Sequence, residues 1–294
     1  MKTFIEELKW RESFKQSIGE ENKLSDLIEN KKISVYVGTD PTAPSLHIGH
    51  LIPLTILKRL QKLGHKPVIV VGGGTGMIGD PKPTTERKLL SEDQLNEYVQ
   101  RLTKQLTKLF GSDGFEIINN YNWLGKLSLI EFLRDYGKFF PVNEMLKRDV
   151  VANRIETGIS FTEFTYQILQ AIDFLVLYKE KKVQLQIGGS DQFGNISSGV
   201  ELIHKVLGSD KEAYGITVPL LLKSDGTKFG KSEGGAIWLD SQLTSPYNLY
   251  QFFFNQSDND VIRFLKIFTF LSKEEIADYE EKVKNNPEKR EAQT

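Results

Sequence analysis

Apolar residues along this chain follow two rhythms. Short, nearly unbroken apolar runs at 33–39, 66–71, 115–119 and 183–190 read as strands buried on both faces. Between them, apolar positions recur at helical spacing. Over 47–63 these are Ile48, Leu51, Ile52, Leu54, Leu57 and Leu60, with Gly64 as the stop. Ser91 is placed to cap a long polar helix that runs to about Phe110 and ends at Gly111. Segment 2–17 reads as a helix, 128–181 as helix-rich, 191–207 as one helix and 216–222 as a last strand. Beyond the loop SDGTKFGKSEGG (224–235) the chain turns helical and polar. No internal repeat or low-complexity segment interrupts this order.

Strand–helix alternation with apolar strands predicts an α/β fold with a parallel sheet covered on both faces. Such sheets bind ligands at the carboxyl ends of their strands, where the strand order switches. Three Gly- and Asp-bearing loops fall at such ends: GTDPTAPSLHIGH (38–50), GGGTGMIGDP (72–81) and IGGSDQFGN (187–195). Glycine permits close backbone approach, and helix N-termini offer unpaired N–H groups to anions.

Composition narrows the function classes. The 294 residues can bury a sizeable core, and a net charge of −1 excludes a nucleic-acid binder working by bulk charge. Any RNA contact is therefore local. The chain has no cysteine, which rules out a disulfide framework, a thiolate metal site and a thiol nucleophile. Its N-terminus lacks the apolar core of a secretion signal, and no run approaches the roughly 18 apolar residues of a membrane helix. A cytoplasmic protein, with neither membrane nor DNA among its partners, is expected.

His47 and His50 stand three apart around Gly49, at the joint between a strand and a helix. A structural zinc would need further ligands, and only His65 and His204 remain, each in a Lys-rich context that reads as surface. No metal site is expected. Two readings stay open for the pair: imidazole donors aimed at phosphate or ribose at a helix start, or a helix start that contains histidine by chance. The glycine run 72–74 lacks the P-loop pattern and reads alone as a turn, but Asp80 beside it suits a ligand ammonium group. TKFGKS (227–232) reads as a mobile lysine clamp on a polyphosphate or as a solvated loop. Tyr166, Gln170 and Asp173 share one helix face amid Phe164, Ile168, Leu169 and Ile172, which points to a small-molecule pocket.

The motifs together carry a resemblance. HIGH (47–50), KFGKS (228–232), YVGTDPTAPSLHIGHL, GMIGDP, NNYNWLG, ETGISFTEF, LQIGGSDQFGN and SPYNLYQFFFN resemble the bacterial-type tyrosyl-tRNA synthetases, in order and over essentially the whole chain. These are class I aminoacyl-tRNA synthetases. The resemblance implies a Rossmann-like, doubly wound sheet in a catalytic domain (1–223), with a helical dimerisation insertion at about 121–182. It also implies that 224–294 carries the mobile loop and the start of a C-terminal α-helical region. It implies activation of L-tyrosine with ATP to tyrosyl-adenylate and pyrophosphate, then transfer to the 3′ end of tRNA(Tyr), in a homodimer. Mg²⁺ would accompany ATP.

Residue roles follow from the same resemblance. Thr42, His47 and His50 belong to the catalytic group with Lys228 and Lys231, which would close over the pyrophosphate. Tyr36 and Asp173 match the pair that hydrogen-bonds the substrate phenol. Asp80, Tyr166 and Gln170 match the ammonium site, with Gln192 nearby. Asp40, Gly49, Asp191, Lys231 and Ser232 are expected at ATP. Phe139, Phe140, Phe161 and Phe164 are interface or core positions, and Arg148, Asp149, His204 and Lys205 lie toward the acceptor stem. Departures spare these signatures: Val37, Pro53 and Phe193 stand where relatives often carry other residues. PKPTTER (81–87) replaces a Gly- and Lys-rich loop, with Lys82 and Arg87 expected near phosphates. The family ordinarily extends beyond the equivalent of PEKREAQT, so a truncated chain is expected, one that forms adenylate but charges tRNA poorly. Three rivals remain. A tryptophanyl relative would not need the Tyr36–Asp173 pair, a generic adenylyltransferase would lack KFGKS, and an idle paralogue would have lost a signature.

Overall fold

The central sheet is built from β1 (Gln16–Ile18), β2 (Ser34–Thr39), β3 (Lys66–Val71), β4 (Glu116–Asn119), β5 (Val183–Gly189) and β6 (Tyr214–Val218). Its order is β1-β6-β5-β2-β3-β4, parallel throughout except for the antiparallel β1–β6 pair. The computed structural model describes residues 3–81, 89–111, 113–222, 224, 226, 229, 231–232 and 235–294. β2 pairs with β3 on one side and β5 on the other. The chain therefore winds outward in both directions from β2, and its carboxyl end is the switch point where an α/β sheet opens a crevice.

The longer helices are α1 (Phe4–Trp10), α2 (Glu21–Asn30), α3 (Leu51–Lys62), α4 (Glu92–Phe110), α5 (Phe161–Lys181), α6 (Phe193–Leu207), α7 (Pro246–Phe254), α8 (Asp258–Phe268) and α9 (Lys273–Asn285). The unbroken apolar runs of the strands have a simple cause, since successive residues point into different cores. On β3, Ile69 and Val71 join the core under α2, α3, α4 and α8, whereas Val68 and Val70 join the one under α5 and α6. Each such fully buried side chain contributes about 1.5–3 kcal/mol.

The strands at 34–39, 66–71, 116–119 and 183–189, and the helix cap at Ser91, fall where the pattern placed them. Four expectations need correction. The N-terminal helix ends at Trp10, because Glu12 takes a left-handed φ of 55° and the chain turns into β1. Helix α2 buries Leu24, Leu27 and Ile28 in a stretch that the apolar pattern does not mark as an element. The last strand is Tyr214–Val218 and stops at Pro219, which has no N–H for a ladder. His65 is buried at 4% exposure rather than on the surface, and its Nδ1 accepts the Ile33 N–H at 3.3 Å. His204 is half-buried, with Nε2 2.9 Å from the Lys211 carbonyl. The segment before α5 consists of short turns, including a π-helical turn at Phe132–Tyr136.

Two buried guanidinium groups tie the C-terminal helices to α1 and α3. Arg11 donates to the carbonyls of Lys266 (3.0 Å) and Leu271 (2.9 Å), and Arg59 to that of Thr269. They thereby satisfy the Lys266 and Thr269 carbonyls at the end of α8 and the Leu271 carbonyl in the turn that follows. Glu7 balances the charge, 2.7 Å from Arg11 and 3.5 Å from Arg59.

Candidate active site

A cavity of about 440 Å³ opens at the carboxyl ends of β2, β3 and β5. Its lining includes Tyr36, Asp40, Thr42, His47, Gly49 and His50 from β2 and the loop after it. Asp80, Tyr166, Gln170, Asp173, Asp191 and Gln192 complete the set of predicted residues found there. Lys228 lies outside the described residues, as do Lys82 and Arg87. Of Lys231 and Ser232 only the backbone is described, as a short strand pairing with Gly235–Ala236. Phe229, just before that short pair, and Ala236, within it, line the cavity.

The two histidines form a reciprocal cap. His47 Nδ1 accepts the Gly49 N–H and His50 Nδ1 accepts the His47 N–H, both at 3.1 Å. A nitrogen that accepts carries no proton, so the neutral rings hold their protons on Nε2. The cap thus selects the tautomer whose Nε2–H can donate to a ligand. Burial, and then the neighbouring His47, push the His50 pKa down to about 3, so the ring is neutral at physiological pH. Gly49 is required by this packing, because a Cβ there would lie 2.9 Å from His47 Cε1. Gly49→Ala should displace the His47 ring and lower turnover tenfold or more, at about unchanged melting temperature. A crystal structure of the variant with the His47 ring unmoved would contradict this.

A second network holds the carboxylates. Tyr166 donates its hydroxyl to Asp40 Oδ2 at 2.8 Å, and Thr75 Oγ1 donates to Asp40 Oδ1 at 2.7 Å. Asn120 Nδ2 donates to Thr75 Oγ1 (2.8 Å) and to Asp173 Oδ2 (2.9 Å). Trp123 Nε1 donates to Asp173 Oδ1 at 2.7 Å. Asp80 accepts from Gln192 Nε2 (2.6 Å) and Asn195 Nδ2 (3.2 Å). The glycine run gains a reason here. A Cβ on Gly72 would sit 1.9 Å from Asp40 Oδ1, so only glycine lets that carboxylate lie against the end of β3.

Burial raises the Asp173 pKa to about 7 against the hydrogen bonds from Asn120 and Trp123, and nearby Asp40 adds to the rise. Burial likewise raises Asp80 to about 6 against its bond from Gln192. Among the described residues, three buried oxygens in the lining have no partner: Tyr36 Oη, Thr39 Oγ1 and Gln186 Oε1. Tyr36 and Gln186 face each other across the β2–β5 register. Buried polar groups are normally satisfied, so these mark positions that a polar ligand would complete.

Sequence reading missed Thr75, Asn120, Trp123, Gln186 and Asn195. Asn120 and Trp123 lie in NNYNWLG, whose polar and aromatic run was the available signal.

A parallel sheet with a capped HIGH turn at its switch point, facing a carboxylate-lined cavity, is the build of a class I aminoacyl-tRNA synthetase. The profile of the tRNA synthetases class I (W and Y) matches residues 28–294. The chain is 70% identical to the tyrosine–tRNA ligase of Oenococcus oeni over 98% of its own length and 69% of that enzyme's. It is 62% identical to the tyrosine–tRNA ligase of Limosilactobacillus fermentum over the same shares. A C-terminally truncated mitochondrial tyrosyl-tRNA synthetase of Coccidioides posadasii superposes with a TM-score of 0.88 at 35% identity, covering 100% of this chain and 86% of that one. The chain belongs to the class I (W and Y) tRNA synthetase family, on its tyrosine–tRNA ligase branch.

Proposed function

We propose that this cavity activates L-tyrosine with ATP, forming tyrosyl-adenylate and pyrophosphate, and then passes tyrosine to the 3′ end of tRNA(Tyr). The observation that carries this is the unpartnered Tyr36 hydroxyl in a cavity it shares with Asp173. A phenol entering between them donates to the Asp173 carboxylate and accepts from Tyr36. Asp80, Tyr166 and Gln170 hold the substrate ammonium group, and Gln192 keeps Asp80 in place. The tyrosine carboxylate attacks the α-phosphorus of ATP, the bond to the bridging oxygen breaks and pyrophosphate leaves. No protein nucleophile takes part, so catalysis is positioning and charge stabilisation.

In this reading the Nε2–H groups of His47 and His50 donate to ATP, His47 with Thr42 toward the departing phosphates and His50 near the ribose. Gly49 leaves space for the nucleotide backbone, while Asp40 and Asp191 lie toward ribose and ammonium. Lys228, Lys231 and Ser232 close over the pyrophosphate. Mg²⁺ would enter with ATP, and its hard oxygen donors would be the phosphates, with exposed Thr42 and Asp191 nearby. Residues 1–223 form the catalytic part with its insertion at about 121–182, and 224–294 the loop and helical part. A homodimer is supported by exposed Leu129, Ile130, Leu133 and Phe161 on that insertion, with Phe161 70% exposed. Phe139, Phe140 and Phe164 are instead partly buried against the second core. No described helix is long and apolar enough to cross a membrane, and a cytoplasmic location fits this chemistry.

The pH profile follows from the raised carboxyls. Tyrosine binding needs Asp173 and Asp80 ionised, and protons add to Asp173 as pH falls through about 7 and to Asp80 as it falls through about 6. The value of kcat/KM for tyrosine should therefore fall below pH 7 with a slope approaching two, since this parameter reports the free enzyme. A profile flat from pH 8 to pH 5.5 would rule out that assignment. The function itself is tested by mass spectrometry of protein incubated with tyrosine and ATP, where enzyme-bound tyrosyl-adenylate is expected. Its absence would remove the proposal.

A further inference from the structure

The backbone that leads into the HIGH turn is held by two distant parts of the chain. Residues 46–48 run antiparallel to 237–239, with a bridge between His47 and Trp238. Leu239 N–H donates to the Leu46 carbonyl at 2.8 Å, and Ile48 N–H to the Ile237 carbonyl at 3.0 Å. The other partner is Gln105 of α4. Its Oε1 accepts the Leu46 N–H at 2.9 Å, and its Nε2 donates to Ser45 Oγ at 2.9 Å. Ser45 Oγ in turn donates to the Leu46 carbonyl at 2.7 Å. Ser45 and Leu46 are both buried, so solvent does not stand in for these bonds. We propose that Gln105 and Ser45 are positioning residues that set the direction of the HIGH histidines.

The argument runs through peptide planes. The Leu46 carbonyl and the His47 N–H are opposite ends of one planar unit. That N–H donates to His50 Nδ1 at 3.1 Å and so makes half of the reciprocal cap. Whatever fixes the carbonyl therefore aims the N–H, and Ser45 Oγ and Leu239 N–H both fix it. Gln105 Nε2 occupies a lone pair of Ser45 Oγ, which leaves the hydroxyl proton free for the Leu46 carbonyl. Gln105 Oε1 holds the preceding peptide unit through the Leu46 N–H. Two successive peptide units are thus pinned by side chains just before the cap, and bonds in such a chain polarise one another. Leu102 and Leu106 beside Gln105 on α4 pack in the core, so the helix itself gains nothing from an amide at 105, whereas the backbone at 45–46 does. The consequence for turnover rests on the reading that the histidines serve ATP.

The test uses the whole chain with nitrogen-15 in its histidine rings and reads two signals. By NMR, the His50 ring of the unaltered chain should show a bare Nδ1 and a protonated Nε2, and Gln105→Leu should give a mixture of tautomers. In pre-steady-state kinetics, Gln105→Leu should lower the maximal rate of tyrosyl-adenylate formation about tenfold. Its dissociation constant for tyrosine should stay unchanged, since Gln105 touches none of the tyrosine-site residues. Gln105→Glu keeps an acceptor for the Leu46 N–H and should recover part of the rate. Ser45→Ala leaves the bond from Gln105 to the Leu46 N–H in place and should show both changes in weaker form, so it decides the matter if Gln105→Leu does not fold. Unaltered His50 signals, or a rate loss matched by an equal loss of tyrosine affinity, would overturn the proposal. Changed His50 signals in a protein whose unaltered chain forms no adenylate would instead refute the activation reading alone.

Discussion

His50→Asn should lower the rate of tyrosyl-adenylate formation by about 10²–10³-fold, the usual cost of deleting one preorganised donor to developing charge. The choice of residue follows from the cap. The asparagine oxygen can replace Nδ1 as acceptor for the His47 N–H, so the turn at 47–50 survives, but no donor remains at the Nε2 position. His50→Gln should do the reverse: its amide nitrogen reaches the Nε2 position, restoring part of the rate while weakening the cap. Pre-steady-state measurement of adenylate formation separates the two. Equal rates for His50→Asn and the unaltered chain would show that the histidine is only a helix-start residue.

Asp173→Asn should reduce kcat/KM for tyrosine by about 10²-fold, which corresponds to roughly 3 kcal/mol for a buried hydrogen-bonding partner lost. The amide can no longer accept on both sides, so Trp123 Nε1 or Asn120 Nδ2 loses its acceptor. Phenylalanine has no hydroxyl to lose, so its slow activation should change little and discrimination between the two should narrow. Rejection of phenylalanine by such a polar pair is already known for tyrosyl-tRNA synthetases. The expectation specific to this chain is that Tyr36→Phe narrows discrimination less, by about tenfold, since its hydroxyl has no other partner. Stopped-flow rates with both amino acids would show it. Equal losses for tyrosine and phenylalanine in Asp173→Asn would mean a structural role for this carboxyl.

The strands of the sheet were legible because they are buried on both faces and leave unbroken apolar runs bounded by Gly, Pro and Asp. Helices α3 and α4 were legible from their period and stop signals. The short β1 was not, since three residues at an edge carry no period, and Glu12 ends α1 by a backbone conformation that composition does not announce. His65 was misplaced because its Lys neighbours suggested solvent, whereas its ring is drawn inward by the Ile33 N–H. In the cavity, residues with a motif or a helical spacing could be named in advance. Asn120, Trp123 and Gln186 could not, because their function lies in contacts between segments far apart in sequence. Even the HIGH pair, open between donor and chance on sequence alone, needed the reciprocal cap to show which nitrogen carries the proton.

The central claim is that the Tyr36–Asp173 end of the cavity recognises a phenol and that the capped histidines serve ATP. ATP–pyrophosphate exchange run in parallel with tyrosine, phenylalanine and tryptophan tests it most directly. Exchange that depends on tyrosine and is near background with the other two is the predicted result. Exchange driven equally by phenylalanine or tryptophan, or none with tyrosine, would contradict it.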